Sequence, residues 1–323
     1  MINRFISCCV GAVFAAAPVF CPAQNYPTRP ITFIVPFTPG SGIDIVARTL
    51  GPKITERWSQ PVIVDNRAGA SGNIGSDIVA KANPDGHTLM VTVVTFAMTP
   101  GLYRSMPYDP VADFTPVAQV ATGGTALTVN PVALPVASMQ ELVAAAKARP
   151  GQLNYASPGN GTPQHLGMEL LEQQLGIDLT HVPYKGASGA MTDLLGGQVQ
   201  IAYLPVHTAL PHAKGGKLRV LAVAGDKRSV LAPDSPSFNE LGYKNMNIEL
   251  WFAIYGPAKL PPAAVQRWER ELPAILALPD VKDMLGKQGL VPHFGTSAEL
   301  AALTKSEVAR WREVVQKAGI KPD

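Results

Sequence analysis

The chain has 323 residues and a formal net charge of +3, with 46% hydrophobic against 16% charged residues. That balance leaves no electrostatic footprint for nucleic acid, and no run of like charges marks an interacting arm. Cys8, Cys9 and Cys21 all precede residue 24, so the rest of the chain has no disulfide, no thiolate nucleophile and no Cys-ligated zinc.

The N-terminus sets the expected compartment. Met1 to Arg4 is a short basic stretch, Phe5 to Phe20 is apolar or small, and Cys21-Pro22-Ala23 supplies small residues where a signal peptidase reads. The apolar run is shorter than the roughly 20 residues that span a bilayer, and no basic stop-transfer cluster follows. A signal peptide over 1–23 and a periplasmic mature protein are therefore expected. What remains is long enough for two domains of ordinary size.

Along the mature chain, short apolar runs alternate with helical periodicity. Strands are predicted over 31–36, 61–64, 88–94, 116–121, 125–129, 153–156, 179–182, 199–203, 218–224 and 250–255. Helices are predicted over 42–57, 71–81, 138–148, 162–175, 187–196, 207–214, 262–277, 279–288 and 297–318. This alternation predicts α/β architecture with mainly parallel sheets flanked by helices. A two-domain clamshell with two crossover strands fits better than one long sheet, with 24–124 plus 226–323 as the first domain and 125–225 as the second.

Two loops carry the functional signal. Pro39-Gly40-Ser41-Gly42-Ile43-Asp44 follows the strand candidate Ile31 to Val35, and Ser157-Pro158-Gly159-Asn160-Gly161-Thr162-Pro163-Gln164-His165 follows Leu153 to Ala156. Each reads as strand, glycine-rich turn and helix start. Ser41 with Asp44 has the form of a capping box, and Thr162-Pro163 suits an N-cap followed by the first helical position. Helix starts leave backbone N–H groups unpaired and carry partial positive charge, so they hold anions without needing Arg or Lys. Two such loops facing each other across a cleft would grip a small carboxylate. The glycines let the backbone approach, Thr38, Ser41, Ser157 and Thr162 offer hydroxyls, and His165 offers an imidazole in the first helical turn. Thr95, at the end of the third strand candidate, points toward the same cleft by topology. Phe37, Tyr184 and Leu204 are candidates for shaping the rest of it. Trp251 and Phe252 read as core, and Asp65 with Arg67 as a pair that fixes a loop.

Catalysis has little support. There is no Gly-x-Ser-x-Gly elbow for a secreted α/β hydrolase and no His-Glu-x-x-His, and the six histidines lack metal-ligand spacing. Gly40-x-Gly42 lacks the third glycine of a dinucleotide fingerprint, because Ile45 takes that place. Ser157 and His165 are separated by a loop and a helical turn, with no orienting acid evident. No catalytic residue, cofactor or metal is assigned.

In order along the chain, the segments Val35 to Asp44 with Ala47-Arg48, Asp65 to Gly75, Pro84 to Thr88, Asn154 to Ser157 with Gly159, Gly161, Thr162 and His165, Val182 to Gly186, Asp193 to Val199 and Lys217 to Val223 resemble the periplasmic substrate-binding proteins of tripartite tricarboxylate transporters, the Bug family. The resemblance implies a Venus-flytrap fold that closes on a small carboxylate held by the loops Phe37 to Asp44 and Ser157 to His165. It also implies a monomer that delivers its ligand to a two-component membrane permease. A ligand-presenting sensor for a receptor is the alternative role. Two positions depart from the family pattern. Ser41 stands where a second glycine is common, and its hydroxyl can cap the helix. Leu204-Pro205 aligns with a family Asp-Asn pair, and loss of that acid removes a partner for a ligand ammonium. The expected ligand therefore lacks an α-amino group, as an aromatic or aliphatic carboxylate or dicarboxylate does.

Overall fold

The computed structural model describes residues 26–184, 187–225, 227–229, 231–244, 246 and 248–320. The signal-peptide expectation and all three cysteines fall on residues 1–25, outside the described residues. Among the described residues no helix is long and apolar enough to cross a membrane.

The first sheet contains β1 (Ile31–Val35), β2 (Val62–Asn66), β3 (Thr88–Val93), β4 (Phe114–Gly123), β10 (Leu250–Pro257) and β11 (Leu290–Gly295), in the order β11-β4-β10-β3-β1-β2. The second contains β5 (Thr125–Val129), β6 (Asn154–Ser157), β7 (Thr180–Pro183), β8 (Ile201–Pro205) and β9 (Arg219–Val223), in the order β7-β6-β8-β5-β9. Only Gly124 separates β4 from β5, so the chain crosses between sheets almost without a break.

Both sheets are mixed, which corrects the expectation of mainly parallel ones. Parallel pairing occurs where a helix intervenes, at β1–β2, β1–β3, β6–β7 and β6–β8. The strands at the crossings pair antiparallel instead: β10 with β3 and β4, β11 with β4, and β5 with β8 and β9. A strand that carries the chain from one sheet to the other enters without a helical crossover and need not share the direction of its neighbours. The segment after β9 stays with the second sheet. Phe238 stacks on Tyr203 with ring centroids 6.3 Å apart, and the Thr125 hydroxyl donates to the Ile248 carbonyl at 2.7 Å. Phe238 and Ile248 thus contact the second unit before β10 begins.

Helix α1 (Gly42–Trp58) follows β1 and buries Ile43, Val46, Ala47, Leu50, Ile54 and Trp58 along one stripe. Ser59 ends it in the left-handed conformation. Its Trp58 meets Trp268 of α8 (Pro262–Leu276) edge to face at 4.5 Å, and the Trp268 indole donates to the Tyr26 hydroxyl at 2.8 Å. Trp251 and Phe252 are buried in β10, and Trp311 with Val315 forms the buried side of α10 (Ser297–Lys317).

Two elements escape the sequence pattern. Helix α3 (Thr95–Leu102) has a wholly buried first turn and an internal Pro100, so it shows no polar face and no clean period. Strand β11 carries Pro292 and lies at the sheet edge, where a missing N–H is tolerated.

Helix α2 (Asn73–Ala80) packs so closely on the end of β1 that a Cβ on Gly75 would lie 2.8 Å from Pro36 Cα and 3.0 Å from the Arg67 carbonyl oxygen. Helix propensity alone predicts that Gly75→Ala stabilises the protein. We expect instead a loss of about 1–3 kcal/mol from overpacking against backbone, read as a lower midpoint in urea denaturation.

Candidate ligand-binding site

The first loop is organised around a carboxylate of its own. Ser41 caps α1 by accepting from the Asp44 N–H at 3.4 Å. Asp44 reaches back to accept from the Gly40 N–H at 2.9 Å, one residue earlier than a capping box requires. It also accepts from Arg48 Nε at 3.0 Å and from Asn66 Nδ2 at 3.0 Å, while Arg48 donates to Asn66 Oδ1 at 3.1 Å. Asn66 Nδ2 further donates to the Phe37 carbonyl, which ties the loop to the end of β2. Burial pushes the Asp44 carboxyl up, but the hydrogen bonds from Arg48, Gly40 and Asn66 outweigh it and hold the group below the usual carboxylate range. Asp44 thus occupies the Gly40 amide, and the N–H groups of Gly42 and Ile43 find no acceptor among the described residues. Gly40 has φ +79°, which favours glycine. Gly42 does not need to be glycine for backbone reasons, since a Cβ there would sit 3.7 Å from the Phe252 ring, an ordinary contact.

The second loop leads into α5 (Pro163–Leu175). Thr162 caps it by accepting from the His165 N–H at 3.3 Å, and the Thr162 hydroxyl donates to the Gly159 carbonyl at 2.8 Å. The Gly161 N–H donates to His165 Nδ1 at 3.0 Å, which puts the imidazole proton on Nε2, 3.4 Å from Glu169 Oε1. Both His165 nitrogens are therefore engaged inside the domain. The N–H of Gln164 is left without an acceptor among the described residues.

Below this loop lies a cluster that sequence reasoning missed. His181 of β7 stacks between Tyr155 at 4.8 Å and His165 at 4.0 Å, and its Nε2 is 2.6 Å from the Ser157 hydroxyl. The pairing of β6 with β7 places Tyr155 opposite His181, so that His181 comes onto the face that carries Ser157. No spacing rule within a single segment could have found this, because it depends on which strands pair. Burial, with repulsion from His165, pushes the His181 imidazole down to about 4, so it is neutral in ordinary buffers. Ser157 with His181 has the outline of a nucleophile and its base, but the serine has no exposed surface and its hydroxyl lies 3.0 Å from the Gly159 carbonyl. His181 Nε2 donates to or accepts from this hydroxyl according to its tautomer, and the serine itself is enclosed by its own loop.

The remaining candidates divide by place. Thr95 is not the end of a strand but the first residue of α3, and it is buried. Thr38 is exposed on the first loop, and the Phe37 ring lies against Gly72. Tyr184 follows β7 beside Gly159, but its hydroxyl donates to Asp193 Oδ2 at 2.6 Å; burial and that carboxylate push it up to about 12. Lys185 and Gly186 lie outside the described residues. Leu204 closes β8 and is buried at the wall of a separate apolar cavity. Asp65 pairs with Arg67 at 3.0 Å.

A cavity of about 270 Å³ joins the two halves. Ser71, Leu102 and Tyr103 line it from the first unit, and Asn160, Gly161, His165 and His181 from the second. The Tyr103 hydroxyl donates to Ser71 at 3.2 Å. Gly161, at φ +71°, approaches Leu102 so closely that a Cβ would lie 2.6 Å from its Cδ1. Ser71, Leu102, Tyr103, Asn160 and His181 are additions to the residues legible in the sequence. Among the described residues no group of three or more His, Cys, Asp and Glu side chains could hold a metal ion.

The sequence profile of the "Tripartite tricarboxylate transporter family receptor" matches residues 46–320. Protein BugT of Bordetella pertussis is 35% identical over 316 residues, covering 97% of each chain. Among solved structures, the periplasmic binding protein BugD is 31% identical with a TM-score of 0.76, covering 92% of this chain and all of BugD. The R. palustris protein Rpa4515, solved with adipate, is 34% identical with a TM-score of 0.79 over the same shares. The chain belongs to the tripartite tricarboxylate transporter receptor family, the solute-binding Bug proteins.

Proposed function

We propose that this protein works in the periplasm as the receptor of a tripartite tricarboxylate-type transporter, closing its two domains around a small carboxylate and presenting it to a two-component membrane permease. The observation that carries this reading is the pair of capped helix starts, α1 and α5. Each follows a strand with parallel neighbours, and each offers N–H groups with no acceptor of their own: Gly42 and Ile43 on one side, Gln164 on the other. Open α/β sheets bind ligands beyond the carboxyl ends of such strands. A carboxylate that bridges both loops stabilises the closed arrangement over the open one, because only the closed arrangement makes both sets of contacts. The two domains are 24–124 together with the C-terminal segment that carries β10 and β11, and the unit built on β5 to β9. Binding requires no bond-making step, and the protein acts as a monomer.

The direct test is native mass spectrometry of protein purified gently from its own periplasm, with release and identification of anything bound. A small carboxylate supports the reading, and an unrelated cargo overturns it.

Two variants probe the first loop. A Cβ at residue 42 would sit 3.7 Å from the Phe252 ring, an ordinary contact, and the urea midpoint of Gly42→Val is measured beside its affinity so that a loss of fold is told apart from a loss of site. Its branched side chain blocks the helix start, so calorimetric affinity for the carboxylate should fall at least tenfold. Unchanged affinity would remove this loop from the site. Asp44→Asn should cost about 1–2 kcal/mol at pH 7 by weakening charge-assisted bonds to Gly40, Arg48 and Asn66. The folded carboxyl titrates below its unfolded value, so this contribution is present above the ordinary carboxylate range and is lost as pH falls through the lower folded value. Urea midpoints of the two proteins should therefore converge in acid; a pH-independent gap would mean that shape, not charge, holds the loop.

A further inference from the structure

Beside the helix start of α5 lies a second cavity, of about 440 Å³, within the size range of small-ligand pockets. It sits wholly in the unit built on β5 to β9, at the carboxyl ends of β6 and β8. Ala156 and Pro158 bound it on one side, Leu204 and Pro205 on another, and Ala190 and Met191 of α6 (Ala187–Leu195) close it. Gln164, whose N–H is unpaired, is part of the lining, so the cavity adjoins the place where a carboxylate would be held.

The polar groups in the wall are the Gln164 amide, the Thr208 hydroxyl and the imidazoles of His207 and His212. No Asp, Glu, Lys or Arg among the described residues lines the cavity. The Thr208 hydroxyl, which could donate, is committed to the Pro205 carbonyl at 2.7 Å. His207 lines the cavity too, and burial pushes its imidazole below the usual histidine range, toward the neutral form. An ammonium placed here would lose its hydration with no carboxylate to replace it, and a second carboxylate would meet only the two imidazoles. A hydrocarbon tail would lose nothing and would cover the apolar faces of Leu204, Met191 and Ala190.

We infer that this cavity seats the hydrocarbon part of the captured acid, so that the protein selects monocarboxylates with an aliphatic or aromatic tail over amino acids and over dicarboxylates of equal length. The inference rests on the carboxylate-capture reading and adds the ligand class. Leu204 and Met191 are the specificity-determining side chains. Ala187, exposed at the first residue of α6, stands at the rim.

Isothermal titration of the mature protein, dialysed free of ligand, against butanoate, hexanoate, octanoate, 3-phenylpropanoate, adipate and aspartate tests this. Burial of each added methylene should tighten binding about fourfold until the cavity is full. Adipate and aspartate should bind at least tenfold more weakly than hexanoate. Ala187→Asp puts a carboxylate at the rim, on an exposed first-turn position where an acid suits the helix. It should weaken hexanoate at least tenfold with an unchanged far-ultraviolet dichroism spectrum. Met191→Phe fills part of the cavity and should move the best chain length to a shorter acid. Adipate or aspartate binding as tightly as hexanoate, or a series flat in chain length, overturns the inference while leaving carboxylate capture standing. Absence of binding by every acid overturns the capture reading and this inference with it.

Discussion

A helix that begins directly after a strand must do something with its first N–H groups, and the chemistry of this protein is organised by how it does so. At α1 the chain satisfies some of them from within: Ser41 takes the amide of Asp44, and Asp44 takes that of Gly40. At α5, Thr162 takes the amide of His165, and His165 takes that of Gly161. Two donors at one start and one at the other remain without acceptors among the described residues. Each loop is therefore held by its own hydrogen bonds, and in the proposed role a bound anion completes that pattern. Preorganisation of this kind lowers the ordering cost of binding.

The same economy explains why so many polar side chains near the site are unavailable. Tyr184 is committed to Asp193, His165 to Gly161 and Glu169, and Ser157 to Gly159 and His181. These groups hold the second loop in shape rather than reading a ligand. In the proposed role, recognition falls to backbone N–H groups, which can donate to any carboxylate, and to the shape and polarity of the surrounding walls. Two cavities with different walls adjoin the second loop. One lies between the halves, with the Ser71 and Tyr103 hydroxyls in its wall, and the other lies inside the second half, with alanine, leucine and methionine beside the imidazoles of His207 and His212.

Much of this was legible in the residues. Ser41, Thr162 and Pro163 mark two helix starts by their chemistry alone, and both helices begin where they indicate. Apolar runs and their spacing locate most strands, because a buried strand needs continuous apolar residues whatever it pairs with. The helix α3 and the strand β11 were not legible. An all-buried turn has no polar face to give it a period, and an edge strand tolerates a proline that a central one excludes. Strand direction was not legible for a related reason: β4, β5 and β10 carry the same apolar signature whichever way they run.

The sequence by itself determined the local events: where helices start, which glycines free the backbone, and which segments must be buried. These depend on side chains within a few residues of each other. Tertiary structure alone decided the encounters between distant segments. Strand register brought His181 against Ser157, the folding back of α3 set Leu102 against Gly161, and the meeting of β6, β8 and α6 enclosed the apolar cavity at Leu204. Such contacts are fixed by the packing of whole elements, and no pattern confined to one stretch of chain encodes them.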